Sequence, residues 1–179
     1  MTGRPFKVLA HRDLCAHHRY SLDADDVAWP DGTVTSYAVF RQPEAALMVP
    51  LTERGTTFIV RQWRHSWESD AWELPAGTRE EGEEPLATAR RELVEEVGLE
   101  ARRWDPLGTA RATAVSTMRF HFFIARELTP VDRRPEIYEQ DMVVRELPLE
   151  EALELAADGT IQHAASIAAL YRAQRFLKR

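Results

Sequence analysis

The segment from Gly77 to Leu99 concentrates acidic residues between two signals that mark the ends of a helix. Pro85 suits the first helical turn, because its missing N–H would have no intrahelical partner there. Gly98 suits the position just after the last turn, where a left-handed residue closes a helix. The sequence therefore predicts a helix of roughly three to four turns between Pro85 and Gly98.

This predicted helix has one apolar face and one acidic face. Its apolar stripe, which can pack on a β-sheet, comprises Leu86, Ala89, Leu93 and Val97. Glu92, Glu95 and Glu96 are spaced i, i+3 and i+4, so they gather on another face and repel one another. A hard dication such as Mg²⁺ or Mn²⁺ would be coordinated by these oxygens. The alternative is a solvated acidic face, which is the usual role of a run of charges.

The fixed spacing extends on both sides of the acidic face. The full pattern reads Gly77-x5-Glu83-x7-Arg91-Glu92-Leu93-x-Glu95-Glu96-x-Gly98-Leu99. It resembles the signature of the Nudix hydrolase family, and it matches every fixed position of that signature. The resemblance implies an enzyme that hydrolyses a nucleoside diphosphate linked to another moiety, with Mg²⁺ or Mn²⁺ as cofactor.

Composition restricts the class of protein further. The chain has 179 residues, a hydrophobic share of 44% and a formal net charge of −6. This charge argues against general nucleic-acid binding, which needs a basic surface. No apolar run approaches the roughly 20 residues of a membrane span, and the first residues lack the apolar core of a signal peptide. We therefore expect a cytoplasmic protein with no nucleic-acid partner and no membrane partner, and the resemblance implies a small-molecule nucleotide substrate. The only cysteine, Cys15, is expected to be a half-buried strand residue.

Residues 1–44 are predicted to form an N-terminal β-sheet extension. Phe6–Ala10, residues 20–24 and Thr33–Arg41 have strand-like composition, and Pro30-Asp31-Gly32 is a strong turn signal between the last two. An antiparallel sheet with a hairpin at residues 30–32 is the expected result. The segment resembles one that related enzymes pack between two subunits, and this resemblance implies a homodimer.

Residues 45–179 are predicted to form the Nudix hydrolase domain. The expected strands are Ala45–Leu51, Thr57–Arg64, Ala71–Leu74, Arg102–Ala112, Met118–Glu127 and Asp141–Leu147, and the expected helices are Leu149–Ala157 and Gln162–Leu177. The last helix is expected to carry Ile167, Leu170 and Tyr171 on its apolar side. The first two strands are interpreted as a hairpin. Both faces of Met118–Glu127 carry large apolar residues, which favours a central position. The fold class is α/β (α+β): a Nudix-type mixed β-sheet sandwich with helices on both sides.

Three further segments resemble the ADP-ribose pyrophosphatase branch of the family. They are Val60–Arg64, the entry segment Glu73–Gly77, and Leu147–Ala152 with Asp158-Gly159. Residues 112–117 depart from that branch, because they lack the proline that many of its members carry after the signature. ADP-ribose or a similar nucleotide sugar is the expected substrate. The alternatives are a hydrolase of nucleoside triphosphates or dinucleoside polyphosphates, and a non-catalytic nucleotide-sensing module.

The resemblance also assigns a metal site. Glu92 and Glu96 match the main ligands, and Glu95 would share a second or third ion. Family members often add a backbone carbonyl, which corresponds here to Ala76.

The resemblance assigns supporting and catalytic roles as well. Arg91 and Glu83 would orient the ligands. The general base of this branch tends to lie on the loop before the last strand. Glu139 is the first choice there, with Glu136 and Asp141 as alternatives, and a carboxylate of the helix face such as Glu92 could serve instead.

Two residues are predicted to contact the substrate. Arg64 offers forked donors for the diphosphate oxygens. Trp67, in the following loop, would contact a base or sugar, although a rim aromatic is an equally good interpretation. Trp63 and Trp72 are expected in the core, and the histidines show no metal-binding spacing.

Overall fold

The computed structural model describes residues 3–179 and divides into two units. The first unit runs to Glu44 and also contains Arg111–Arg119. The second unit consists of Ala45–Ala110 and Phe120–Arg179. No helix in the described part of the chain is long and apolar enough to cross a membrane.

The first unit is an antiparallel sheet in the order β1-β2-β3. The strands are β1 (Lys7–His17), β2 (Tyr20–Ala28) and β3 (Val34–Arg41). The hairpin predicted at residues 30–32 is confirmed, and Gly32 takes the positive φ of 85° that its turn requires. β1 is longer than predicted and contains two bulges, at which Leu9 and Leu14 have no partner on β2. Cys15 is exposed, because β1 is an edge strand with little packed against it.

The segment 112–117 is bound to the end of β3. The Phe40 N–H donates to the carbonyl of Val115 at 2.8 Å, and the Thr117 N–H donates to the carbonyl of Phe40 at 3.0 Å. The Thr117 hydroxyl also accepts the N–H of Gln42 at 3.0 Å. The segment that departs from the ADP-ribose branch is therefore part of the first unit.

The second unit contains a mixed four-stranded sheet, β7-β4-β9-β8, and a three-stranded sheet, β10-β5-β6. The strands are β4 (Ala45–Pro50), β5 (Thr56–Arg64), β6 (Ser69–Glu73), β7 (Ala76–Thr78), β8 (Leu99–Arg111), β9 (Arg119–Pro130) and β10 (Val143–Pro148). β4 pairs parallel with β9 and antiparallel with β7. The predicted central position of β9 is confirmed, because it lies between β4 and β8.

The predicted hairpin of β4 and β5 is wrong. A turn with a single bridge, Leu51 to Thr57, connects the two strands, which then enter different sheets. Both edges of β4 are occupied, one by β7 and one by β9, so β5 pairs with β6 and β10 instead. Apolar composition alone therefore identified two buried strands and could not identify their partners.

Helices cover opposite faces of β4. They are α1 (Pro85–Glu92), α2 (Leu149–Ala157) and α3 (Ala164–Leu177). Ala46 and Met48 pack in one cluster with residues of α1, whereas Leu47 and Val49 pack in the other with α2 and α3. This alternation follows from the period of two along a strand. The predicted sandwich with helices on both sides is confirmed.

Two aromatic residues lie on different faces from those predicted. Trp63 is 52% exposed rather than in the core, because successive side chains of β5 alternate and Arg64 takes the inner position. Tyr171 was expected on the apolar side of the last helix and is exposed. Trp72 packs partly buried against the larger core cluster, as expected.

Candidate metal and diphosphate site

Three buried carboxylates converge in the second unit. Glu92 ends α1, Glu96 lies one turn later, and Glu139 comes from the loop before β10. One oxygen of each lies within 4.8 Å of the others, and all three residues are less than a tenth exposed. The structure therefore joins two predicted metal ligands with the first-choice general base.

The helix changes its geometry at this cluster. Beyond α1, Leu93–Val97 forms a π-helical turn that ends at Gly98 with a φ of 73°. The wider π turn rotates by less per residue than an α-helix, so Glu95 turns further from Glu92 than regular α spacing would place it. Glu95 accordingly lies outside the three-carboxylate cluster and accepts a hydrogen bond from Arg91 instead.

Strand β7 lies in close contact with the carboxylate cluster. A Cβ atom built on Gly77 would lie 1.7 Å from Oε1 of Glu92, so only glycine leaves room for this carboxylate. The neighbouring Ala76 N–H donates to Oε2 of Glu96 at 2.8 Å. The backbone of β7 therefore fixes one carboxylate and makes space for the other.

Arg91 connects the carboxylates at the edge of the cluster. Its Nη1 donates to Glu92 at 2.7 Å and to Glu95 at 2.8 Å. Its Nε donates to Glu83 at 3.1 Å, and its Nη2 donates to the Thr78 carbonyl at 3.1 Å. This arrangement is suited to orienting ligands, which is the role predicted for Arg91 and Glu83.

Glu83 is held firmly as an anion. Besides Arg91, the backbone N–H of Glu80 and the hydroxyl of Thr88 donate to it, at 3.0 and 2.8 Å. The Arg91 hydrogen bond, assisted by these two, lowers the pKa of Glu83 to about 2.

The converging carboxylates show the opposite behaviour. Burial raises the pKa of Glu92 to about 7, although Arg91 opposes the shift. Burial, followed by the charge of Glu92, raises the pKa of Glu96 well above its ordinary range. In the described part of the second unit, no Arg or Lys forms an ion pair with Glu96 or Glu139. Hard oxygen ligands that are buried and lack a counter-ion fit a divalent cation.

A short helical turn, Ile137–Glu139, positions Glu139. The N–H of Glu136 donates to Oε2 of Glu139 at 2.9 Å. Arg133 braces the same turn by donating to the carbonyls of Glu139 and Met142 at 3.2 and 3.0 Å. Glu136 and Asp141, the alternative bases, are exposed and lie outside the carboxylate cluster.

The loop that carries Glu139 is attached to the end of the signature helix. The carbonyl of Gly98 accepts the N–H of Val131 at 2.9 Å. A Cβ atom on Gly98 would come within 3.0 Å of the Val131 carbonyl and 3.3 Å of Arg133. The last glycine of the signature therefore serves both the helix end and the loop.

An open pocket of about 310 Å³ adjoins this edge of the site. It is lined by Arg91, Val94, Glu95, Glu100, Val131, Asp132 and Arg134. Its charged rim can hydrogen-bond a polar ligand beside the carboxylates.

Arg64 and Trp67, the predicted substrate contacts, lie at the end of β5 and in the next turn. Arg64 donates to both oxygens of Glu73, from Nε at 2.7 Å and from Nη2 at 2.6 Å. Burial opposes ionisation of Arg64, but the Glu73 pair outweighs it, and Glu96 and Glu139 also raise its pKa. Trp67 is 45% exposed and not part of the core.

His163 is a residue that the sequence did not single out. Its Nδ1 lies 3.3 Å from Oε2 of Glu73 and 2.9 Å from Oγ of Ser166. A lone histidine before a helix gives no sequence signal, because its partner Glu73 lies far away along the chain. Only the folded structure, in which Ser166 of α3 binds the residue that follows β6, reveals it.

Comparisons with known proteins agree with this geometry. The NUDIX domain model matches residues 41–170. The ADP-ribose pyrophosphatase of Bacillus subtilis (strain 168) is 34% identical over 152 residues, which cover 83% of this chain and 82% of the relative. The ADP-ribose pyrophosphatase of Mycobacterium tuberculosis (strain ATCC 25618 / H37Rv) is 33% identical over 172 residues, covering 94% and 83%.

A solved structure described as an ADP compounds hydrolase has the same fold. Its TM-score is 0.87 at 21% identity, covering 99% of this chain and 97% of the other. The predicted family and fold are confirmed. With the complete signature folded around a buried carboxylate cluster, the chain belongs to the Nudix hydrolase family.

Proposed function

We propose that this Nudix hydrolase cleaves ADP-ribose, or a closely similar nucleotide sugar, by attack of water on the diphosphate. The observation that carries the proposal is the buried cluster of Glu92, Glu96 and Glu139, in which Arg91 forms an ion pair with Glu92 alone. The choice of substrate is supported by the two similar proteins named ADP-ribose pyrophosphatase.

Glu92 and Glu96 would hold Mg²⁺ or Mn²⁺, with Glu95 and the Ala76 carbonyl as further ligands. A bound dication neutralises diphosphate oxygens and stabilises the charge that develops during attack. Arg91 donates to one oxygen of Glu92 and to one oxygen of Glu95, so both carboxylates are held in position before a cation binds.

Glu139 would act as the general base. Its buried carboxylate lies within 4.8 Å of the ligand oxygens, so it can reach water bound beside them. One of its oxygens accepts the N–H of Glu136, which leaves the other free to accept a proton.

Arg64 and Trp67 would bind the substrate. The pair with Glu73 uses the Nε–H and one N–H of Nη2, and a guanidinium has five N–H donors. The remaining three can donate to phosphate oxygens. Trp67 offers an exposed ring on which a base or sugar can pack.

The test is a substrate panel with product identification. ADP-ribose, other nucleoside diphosphate sugars, nucleoside triphosphates and dinucleoside polyphosphates are incubated with Mg²⁺ or Mn²⁺. We expect AMP and ribose 5-phosphate from ADP-ribose, with the highest kcat/KM in the panel. No turnover of any nucleoside diphosphate derivative by folded protein would refute the proposal.

One sequence observation favours a second candidate substrate class. Residues 112–117 lack the proline of the ADP-ribose branch. Nucleoside triphosphates or dinucleoside polyphosphates would then be the better substrates. A triphosphate cleaved much faster than ADP-ribose in the same panel would select this candidate.

We also propose that the first unit mediates a homodimer. Large apolar side chains are exposed on its strands: Leu9, Leu14, Tyr20, Val34, Tyr37 and Phe40. Such a set on a small sheet in which β1 forms an outer edge favours association. Light scattering at micromolar concentration should give twice the chain mass, and Leu14→Asp should lower it more than the control Leu177→Asp, which changes an exposed leucine of the second unit. A monomeric parent protein would exclude the dimer.

A further inference from the structure

His163 contacts both Glu73, which binds Arg64, and the ring of Trp67. It is the N-cap residue of α3, and its side chain is only 20% exposed. Its Nδ1 faces a polar pair, Glu73 and Ser166, while its ring packs against two aromatic rings. Both predicted substrate contacts are therefore linked to one side chain.

The first link runs through Glu73 to Arg64. Glu73 is 1% exposed, so Arg64 and the neighbouring polar groups take the place of water around its carboxylate. Both its oxygens accept from Arg64, and Oε2 also lies 3.3 Å from His163 Nδ1. His163 thereby limits the sideways movement of the carboxylate that sets the direction of the guanidinium.

Ser166 fixes the position of the imidazole. Its Oγ accepts the N–H of Leu74, the residue after Glu73, at 2.9 Å and bonds His163 Nδ1 at the same distance. Ser166 is fully buried. These bonds anchor the start of α3 beside the end of β6 and hold the imidazole against the Glu73 carboxylate.

The second link is made by the ring. The centroid of His163 lies 6.4 Å from that of Trp67 and 6.0 Å from that of Phe120. Phe120 is part of the core periphery, whereas Trp67 is half exposed. The imidazole thus packs beside the Trp67 ring. The exposed part of the Trp67 ring remains available for a nucleotide base.

We propose that His163 is a positioning residue for substrate recognition: its Nδ1 sets the Arg64 fork through Glu73, and its ring sets Trp67. The inference rests on the proposed function, because it takes Arg64 as the phosphate contact and Trp67 as the base contact. It adds a residue of α3 to the recognition of the substrate.

Two substitutions separate the two links. His163→Phe keeps an aromatic ring and removes the Nδ1 atom. His163→Asn keeps a polar atom at the δ position and removes the ring. We expect His163→Phe to raise KM for ADP-ribose and CDP-ribose alike by about tenfold, because the buried Glu73 carboxylate would lose a polar neighbour and face an apolar ring instead. In each case kcat should change by about twofold at most.

His163→Asn should act on base preference instead. The ratio of kcat/KM for ADP-ribose to that for CDP-ribose should fall about fivefold, because a purine stacks more extensively than a pyrimidine on the positioned Trp67. His163→Phe should leave this ratio unchanged. His65→Phe is the matched control, since His65 is an exposed histidine of the same turn as Trp67, and it should change neither quantity.

A purely structural role predicts a different result. Both variants would then lower the melting temperature while KM and base preference stay at parent values, and that outcome overturns the inference. Calorimetric titration with AMP distinguishes this failure from failure of the proposed function. If the parent binds AMP but hydrolyses nothing, the proposed function fails and the change in AMP Kd decides the role of His163. If the parent neither binds AMP nor turns over any substrate, both fail.

Discussion

Two clusters of potential metal ligands in this protein have similar spacing and differ in their exposure to solvent. Glu92, Glu96 and Glu139 in the second unit, and His11, Asp13 and Asp23 in the first, each bring ligand atoms within 4.8 Å. The glutamate cluster of the second unit is wholly buried, whereas His11 and Asp13 in the first unit are exposed. Spacing alone would therefore rank the two equally as metal sites.

Compensation by counter-charges separates them. In the first unit Asp23 is paired with Arg41, and the two ring nitrogens of His11 contact Asp25 at 2.7 Å and Asp13 at 3.1 Å. Those hydrogen bonds raise the pKa of His11 and so favour its imidazolium form beside the aspartates.

In the second unit, Arg91 compensates only the edge of the cluster, and Glu96 and Glu139 depend on backbone N–H groups. A cluster that still lacks positive charge after its own contacts are made is the better candidate for a cation.

The largest expected effect comes from removing one charge of the buried cluster. Glu96→Gln should lower kcat by about a thousandfold, in the range reported for loss of a principal electrostatic contact in catalysis. It should also weaken Mn²⁺ binding, measured by electron paramagnetic resonance. Unchanged turnover at saturating metal would refute the assignment of Glu96 as a ligand.

A somewhat smaller loss is expected from Gly77→Ala. The added methyl group would overlap Oε1 of Glu92, and this carboxylate would have to move. A misplacement of about 1 Å can lower a rate by roughly a hundredfold. Gly3→Ala is the control, because a Cβ atom there meets nothing within 4 Å. Crystal structures of both variants would show whether Glu92 has moved. A Gly77→Ala enzyme with full activity would contradict the close fit.

Metal-free protein should lose stability as pH rises from about 4.5 to about 7. The folded-state pKa of Glu92 is raised from its ordinary 4.5 to about 7, so the folded state holds more protons than the unfolded state across this window. The loss should be about 3 kcal/mol for Glu92. Thermal melts with a chelator at pH 5 and pH 7.5 measure it, with Mn²⁺ restoring stability mainly at pH 7.5. A melting temperature of the metal-free protein that rises through this window would contradict the raised pKa of Glu92.

The smallest effect is expected in the first unit. Asp13→Asn should leave turnover unchanged and shift the melting temperature by about 1 °C or less, because exposed charge pairs contribute little. A measurable loss of Mn²⁺ binding in this variant would show that the two clusters are more alike than their environments suggest.

The sequence predicted the parts of the site that depend on local spacing. Pro85 and Gly98 marked a helix, and the acidic residues between them indicated a metal face. The π turn at Leu93–Val97 was not predictable, because its energy depends on packing against the sheet rather than on local propensity. Its effect on Glu95 was therefore missed.

Contacts between distant segments were harder to predict. The apolar pattern identified β4 and β5 as buried strands, but their separation into two sheets follows from the competition of β7 and β9 for the edges of β4. His163 has no sequence signal for the same reason, since Glu73 becomes its neighbour only in the folded structure, where α3 begins beside the end of β6. Trp63 was expected in the core and is exposed. Side chains alternate along β5, and Arg64 rather than Trp63 faces inward.

The bond between Gly98 and Val131 has a consequence for engineering. Exchanging the loop of residues 131–142 is an obvious way to alter which compounds the enzyme accepts. The Gly98 carbonyl accepts the first N–H of this loop, and the Gly98 α-carbon leaves little space beside Arg133. A transplanted loop would therefore need a backbone N–H at the position of Val131. It would also need, at the position of Arg133, a residue that leaves space beside Gly98. Without both, the graft would displace the proposed general base that it carries, whatever new side chains it introduced.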